Sequence, residues 1–358
     1  MADEQLNLVG SVEAVCVEKN ISFRPIHVAG DIMNSDVKTL TMDHTVNACL
    51  KFMKAYRIRH VPVIDLPMEG EKRKKPAFIG VISERDVLRL ASPDTPMDSR
   101  RQWDKKALRQ LLSQIVARKP LSASPHTPVP DVIIIMHNNH IDMVPVLADD
   151  VLVGVITTTD ILKIFLRLDK AICRLYPELA KKHPPPDIPS PPSGPKAAFF
   201  SWARKTVDGI MTTDLICLQI HDNLAAAMQA MQDGDFRHVP VVNEQMKLLG
   251  IVSDRDVLRH LPFAGRRPLL PDKKFREHLF SADPKNAVLE MPLDGIMTRK
   301  VEYISPASTA IEAVTILRNT KVSCLPVVDE QGKFLGIVTV TNLMRLLLIA
   351  YEPAETIQ

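Results

Sequence analysis

Residues 59–65 read RHVPVID and residues 80–88 read GVISERDVL; nearly the same words return without interruption at 237–258 as RHVPVVNEQMKLLGIVSDRDVL. Two diverged copies follow the same order, DMVPVLADDVLVGVITTTDIL from Asp142 and SCLPVVDEQGKFLGIVTVTNLM from Ser323. An Ile-Met or Ile-Val pair precedes each copy. Its second residue, at 33, 116, 211 and 297, lies 29 positions before the Pro at 62, 145, 240 and 326. The Gly at 80, 154, 250 and 336 lies 6 positions before the Asp or Asn at 86, 160, 256 and 342. Two registers held over four copies do not arise by chance, and such a period makes each copy one supersecondary unit.

Within a unit, a short apolar piece follows the Ile-Met pair, then a cap-rich turn (MDHT, IHDN, SPAST) and a helical stretch with apolar residues three and four apart, such as Leu224, Met228 and Met231. The V-P-V-V run reads as a strand whose Pro can stand at the first position, where no ladder donor is lost. A second strand such as LLGIV ends at Ser or Thr and enters a last helix. The order is β-α-β-β-α and the class α+β. A unit of about sixty residues buries a small core and is marginal alone, so the units are expected to pair.

The copies occupy 24–92, 112–172, 201–262 and 289–351, after an N-terminal extension at 1–23. Connections at 93–111 and 263–288 separate the members of each pair. The stretch 173–200, centred on KKHPPPDIPSPPSGPK, is a Pro-rich linker between pairs, stiff and extended. In the first copy LPMEGEKRKKPAF reads as a long hairpin loop with a solvated basic tip at Lys72 to Lys75.

Composition narrows the function. Of 358 residues, 45 are basic and 42 acidic, so the net charge of +3 leaves no global footprint for nucleic acid or an anionic membrane. No run approaches a membrane span, and the opening MADEQLNLVGSVEAV lacks the charged and apolar regions of a signal peptide, so a cytoplasmic location is expected. The five cysteines, at 16, 49, 173, 217 and 324, form no C-x-x-C pair and sit in apolar segments, as buried thiols in a reducing compartment do. No phosphate loop, dinucleotide fingerprint, nucleophile elbow or H-E-x-x-H appears, so no enzyme activity and no catalytic residue are expected. His137 and His140, spaced i, i+3 without a third ligand nearby, are read as ordinary surface or core histidines, not as a metal site.

The S/T-x-x-D endings, Ser83 to Asp86, Thr157 to Asp160 and Ser253 to Asp256, admit two readings. As capping boxes they satisfy the first amides of the last helix. As ligand contacts, the carboxylate matches a ribose diol while the hydroxyl and helix start favour a phosphate. In the fourth copy Thr339 is followed by Asn342, whose amide pairs a diol less well, so a weak or empty cleft is expected there.

The β-α-β-β-α order, the Ile-Met opening, the h-P-V-V strand and the G-I-V-S/T-x-x-D ending resemble the cystathionine β-synthase (CBS) domain family over about four fifths of the chain. In that family two repeats form a pseudo-twofold Bateman module with clefts that commonly hold adenosine-containing ligands. Four repeats resemble the organisation of the gamma subunit of AMP-activated kinase. The resemblance implies an adenine nucleotide (AMP, ADP or ATP) as regulatory ligand, held at Asp86, Asp160 and Asp256. It also implies that the basic pairs Arg59-His60 and Arg237-His238 reach ligand phosphates, which suits bidentate Arg; favourable placement at a helix C-terminus is the alternative. Copies two and four carry Asp142-Met143 and Ser323-Cys324 there, which predicts one phosphate-tolerant cleft per pair. Arg85 and Arg255 are candidate phosphate helpers or solvated residues. Thr212 and Thr298, directly after Ile-Met, are ligand contacts or turn-stabilising hydroxyls. The function expected is regulation in trans, through a protein partner or a homodimer, with no nucleic acid and no membrane; the competing reading is a structural adaptor with vestigial clefts.

Overall fold

The computed structural model describes residues 7–67, 75–88, 108–177, 205–234, 236–260 and 289–352. Residues 72–74 of the basic hairpin tip, residues 178–200 of the Pro-rich stretch and most of the two connections lie outside the described residues.

Every copy contains the antiparallel hairpin that its two apolar runs dictate: β2 (His60–Asp65) with β3 (Ala77–Ser83), β5 (Met143–Ala148) with β6 (Val151–Thr157), β8 (His238–Val242) with β9 (Leu248–Ser253), and β10 (Cys324–Val328) with β11 (Phe334–Thr339). The first strand of each unit is short. It is the parallel pair β1 (Leu40–Thr41) in copy one and β7 (Leu218–Gln219) in copy three, and a single bridge, Ala123 to Val146 or Ile304 to Val327, in the others.

The proline stands third in each hairpin strand rather than first, opposite Val81, Val155, Ile251 and Ile337. The sheet tolerates it because a strand residue's nitrogen and oxygen face the same edge. The oxygens of Pro145 and Pro326 accept from Ala123 and Ile304, on the side away from the hairpin partner. The absent N–H is therefore not one that the antiparallel ladder needs.

Helices α3 (Val46–Tyr56), α5 (Val129–Asn138), α7 (Leu224–Asp233) and α9 (Ala310–Thr320) follow the cap-rich turns. Thr45, Asn223 and Thr309 accept from the amides of Ala48, Ala226 and Glu312, and Glu312 reaches back to complete a capping box. The closing helices are α4 (Glu84–Leu88), α6 (Thr158–Leu175), α8 (Asp254–His260) and α10 (Val340–Ile349). Helix α6 runs past 172 to Leu175, and a short α2 (Ala29–Ile32) leads into the first opener.

The Ile-Met openers do not join their own units. Asn34 exchanges backbone hydrogen bonds with Val155, Thr212 with Ile337 and Thr298 with Ile251, and β4 (Ala117–Arg118) pairs with Val81 and Gly80. Each opener thus extends the sheet of the other repeat in its pair. This explains the fixed glycine. A Cβ on Gly154 would stand 2.5 Å from the Met33 sulfur, and one on Gly80, Gly250 or Gly336 would stand 2.0, 2.8 or 2.6 Å from a backbone oxygen of Ala117, Thr298 or Thr212. Only a residue without a side chain lets the exchanged segment lie down.

The even and odd copies pack differently. Copies two and four share one core, in which Ile164, Phe165 and Leu168 of α6 meet Val314 and Leu317 of α9 and Leu343 and Leu347 of α10. Copies one and three keep separate cores and meet at α4 and α8. The N-terminal extension joins the shared core: α1 (Leu8–Glu18), capped by Asn7, buries Leu8, Val9, Val12 and Cys16 there. Asn7 donates to Tyr351 O at 3.1 Å, and the Tyr351 hydroxyl donates to Ile26 O at 2.7 Å, tying both ends of the chain to the start of copy one. Among the described residues no helix is long and apolar enough to cross a membrane.

Candidate functional site

All four S/T-x-x-D/N endings are built alike. Asp86 Oδ2 accepts from Ser83 N at 2.8 Å and from its Oγ at 2.6 Å. Asp160 Oδ2 accepts from Thr157 at 2.9 and 2.7 Å, and Asp256 Oδ2 from Ser253 at 3.0 and 2.6 Å. Asn342 Oδ1 takes the same place with Thr339 at 2.9 and 2.7 Å. The capping reading therefore holds in every copy. Each of these caps is made through one side-chain oxygen.

At Asp160 the second oxygen accepts from Lys163 Nζ at 2.7 Å. This carboxylate is only 7% exposed, yet it borders an open cavity of about 560 Å³. Met33 and Asn34, delivered by the exchanged opener of copy one, form one wall; Lys163 and Arg167 of α6, Arg24 at the start of copy one and Arg318 of copy four bring cations to it. The cavity is thus composite, drawing on copies one, two and four. A buried carboxylate beside an opener edge and several cations can accept hydroxyl hydrogens and attract an anion in one place.

The exchange assigns the openers to clefts. Thr298 lies beside β9, which ends at Ser253 and leads to Asp256, whereas Thr212 lies beside β11, which leads to Asn342. The Asn342 amide donates to the Thr212 hydroxyl at 3.1 Å, so in the fourth cleft the two candidate contacts satisfy each other.

The residues before the hairpin strands gather elsewhere. Arg59, Asp142, Arg237 and Ser323 each offer a backbone carbonyl to the first amide of their own closing helix, at 2.7, 3.1, 2.9 and 3.2 Å. Their side chains meet where the four copies converge. Arg237 reaches His140 O in copy two and Arg59 reaches Lys321 O in copy four; both acceptors are left-handed residues just past a helix. Arg85 Nε lies 2.9 Å from Asp254 and its Nη1 3.4 Å from Asp142. Arg237 Nη1 lies 3.6 Å from Asp142, and Arg255 Nε 3.6 Å from Glu84. His238 contacts the Ser323 hydroxyl at 3.0 Å, and burial pushes its ring down to about 4; burial lowers His60 as well. Burial alone would raise Asp142, but Arg85 and Arg237 together outweigh it and hold its carboxyl far below the usual range. Asp254 is lowered in the same way.

His137 contacts its neighbour Asn138 at 3.1 Å. The sequence reading passed over Glu84 and Asp254 at the centre, took Asp142 only as the loss of a basic pair, and passed over Arg24, Lys163, Arg167 and Arg318 at the Asp160 cavity. A signal for the first group was present: S-E-R-D and S-D-R-D place an acid before the same arginine in copies one and three.

The CBS-domain profile matches residues 29–93, 112–167, 207–262 and 293–349. The chain is 29% identical over 153 residues to a CBS domain-containing protein of Dictyostelium discoideum, covering 41% of this chain and 94% of that protein. It is 23% identical over 230 residues to an uncharacterised protein of Methanocaldococcus jannaschii, covering 64% of this chain and 68% of the relative. In three dimensions it resembles the crystal structure of that same archaeal protein, described as a candidate archaeal homologue of γ-AMPK, with a TM-score of 0.57 at 18% identity over 89% of this chain and 99% of that one. Carrying four matched segments over more than half its length, folded as two Bateman modules with exchanged openers, the chain belongs to the CBS-domain family.

Proposed function

We propose that the chain is a non-catalytic regulatory protein that binds an adenosine-containing ligand in the composite clefts at Asp160, Asp86 and Asp256. Ser83, Thr157 and Ser253 orient the carboxylates, and Thr298 contributes an opener contact. The observation that carries this reading is the Asp160 cavity. There a buried carboxylate commits one oxygen to its helix, while the other, which accepts from Lys163 at the cavity wall, keeps a further lone pair for a sugar hydroxyl. The cations around it suit a phosphate or another anion. Because each cleft takes one wall from each repeat of a pair, a ligand that fits one relative placement of the repeats favours it, and a protein partner or a second copy of the chain reads the change.

One observation favours the adaptor reading. The cap is complete even at Asn342, so the motif survives where its carboxylate does not. Thermal melting with AMP, ADP, ATP and S-adenosylmethionine separates the two. A ligand at one hundred times its dissociation constant adds about 2.7 kcal/mol. A shift with at least one of them supports sensing; none at millimolar concentration supports the adaptor.

A further inference from the structure

The centre of the molecule carries charges that the adenosine site does not use. The first two middle residues of S-x-x-D in copies one and three, Glu84-Arg85 and Asp254-Arg255, exchange partners across the junction of α4 and α8: Arg85 with Asp254 at 2.9 Å, Arg255 with Glu84 at 3.6 Å. Asp142 of copy two adds a third carboxylate between Arg85 and Arg237, at 3.4 and 3.6 Å. Arg59 is turned to the Lys321 carbonyl. Arg59, Arg85 and Arg237 therefore already face protein acceptors, while Arg255, whose buried Nε makes no hydrogen bond among the described residues, is held by the Glu84 charge.

This centre adjoins the closing motifs that end in Asp86 and Asp256. His60 stands opposite Ser83 and His238 opposite Ser253 in the hairpin ladders, and Met143, next to Asp142, stands opposite Thr157. A phosphate chain growing inward from a ribose at Asp86 or Asp256 would meet carboxylates that hold their arginines from several sides. Displacing a carboxylate from a partly buried ion pair leaves that charge uncompensated, a loss the incoming phosphate must more than offset.

Resting on the adenosine reading above, we propose that Asp142 and Asp254, with Glu84, are built-in counter-anions that select for ligands with a nucleoside and at most one phosphate, and against di- and triphosphates. Neutralising one of them frees a guanidinium for a polyphosphate, and an Arg-phosphate pair is bidentate and strong.

The test measures AMP, ATP and inorganic tripolyphosphate binding to the full chain, freed of carried-over nucleotide, in the wild type, Asp142→Asn and Asp254→Asn. The wild type is expected to bind AMP more tightly than ATP. Asp142→Asn is expected to raise ATP affinity about tenfold while AMP changes by less than about threefold, and to gain affinity for tripolyphosphate over the wild type. An ATP-to-AMP ratio that stays fixed in every folded variant, or a wild type that prefers ATP, overturns the proposal; the second result needs no variant to fold. If no nucleotide binds any form but Asp142→Asn gains tripolyphosphate, the counter-anion role stands and the adenosine reading falls. If AMP binds and neither ATP nor tripolyphosphate responds to the variants, the reverse holds.

Discussion

Asp160 and Asn342 occupy equivalent positions and make the same cap, yet their remaining side-chain atoms face different neighbours. The spare Asp160 oxygen meets Lys163 at the wall of a cavity, while the Asn342 amide is committed to Thr212. The two candidate contacts of the fourth copy are thus committed to each other, and Asn342→Ala is expected to leave ligand binding unchanged, at a cost of about 1 kcal/mol of stability for the lost cap. Asp256→Ala removes a similar cap but also a carboxylate that would grip a diol; its AMP affinity is expected to fall roughly thirtyfold, or about 2 kcal/mol, by calorimetry. Equal binding by the two variants would contradict the assignment. The four endings were legible because their local spacing fixes the cap geometry. Asp142 was not legible as a functional residue, because its two arginine partners come from copies one and three, and no local pattern announces a contact that depends on how the pairs are joined.

At the scale of elements, the order of strands and helices follows from the apolar runs and caps, but the exchange of openers does not. The register marks where Met33 or Met297 falls in its own copy and is silent on which sheet it enters. The invariant spacing of the glycine held the answer in a form that only packing could reveal. Gly80→Ala would drive a Cβ to 2.0 Å from the Ala117 carbonyl oxygen, and an overpacked core position costs about 1–3 kcal/mol. Gly295→Ala meets nothing within 4 Å and should leave the urea midpoint unmoved, making it the control for a midpoint that falls in the first variant. Proline placement fails for a related reason: a strand with its ladder on one side only at that residue accepts Pro in its interior, and sequence does not show which edge faces the partner. The N-terminal stretch, which reads as a mere extension, is part of the core because its apolar face has α6 to cover. Tyr351→Phe removes the bond that ties the chain end to Ile26 and should lower stability by about 1 kcal/mol in chemical denaturation.

For the whole molecule, the odd copies meet through charge and the even copies through a shared apolar core, so acid should act first on one side of the assembly. Burial holds His238 down to about 4 from 6.5, helped by Arg237, Arg255 and Arg85 and opposed by Asp254, and burial lowers His60, helped by Arg85 and Arg255 and opposed by Asp142 and Asp86. Each ring is protonated in the unfolded chain before it is protonated in the folded one. Stability contributed this way is present above pH 6.5 and is lost as pH falls from about 6.5 toward about 4. His238→Gln should flatten that slope in melting temperature against pH; an unchanged slope would remove the ring from the explanation. Asp142 and Asp254, held low, keep their charge through this window, and their contribution is lost only at more acid pH.

The central claim, that paired repeats build clefts for an adenosine-containing ligand, meets its most direct test in isothermal titration of AMP into nucleotide-free protein, with Asp160→Ala titrated beside it. Saturable binding to the wild type, weakened at least about tenfold in the variant without loss of the folded state, is the predicted result. No heat from either protein, or identical isotherms from both, would contradict it.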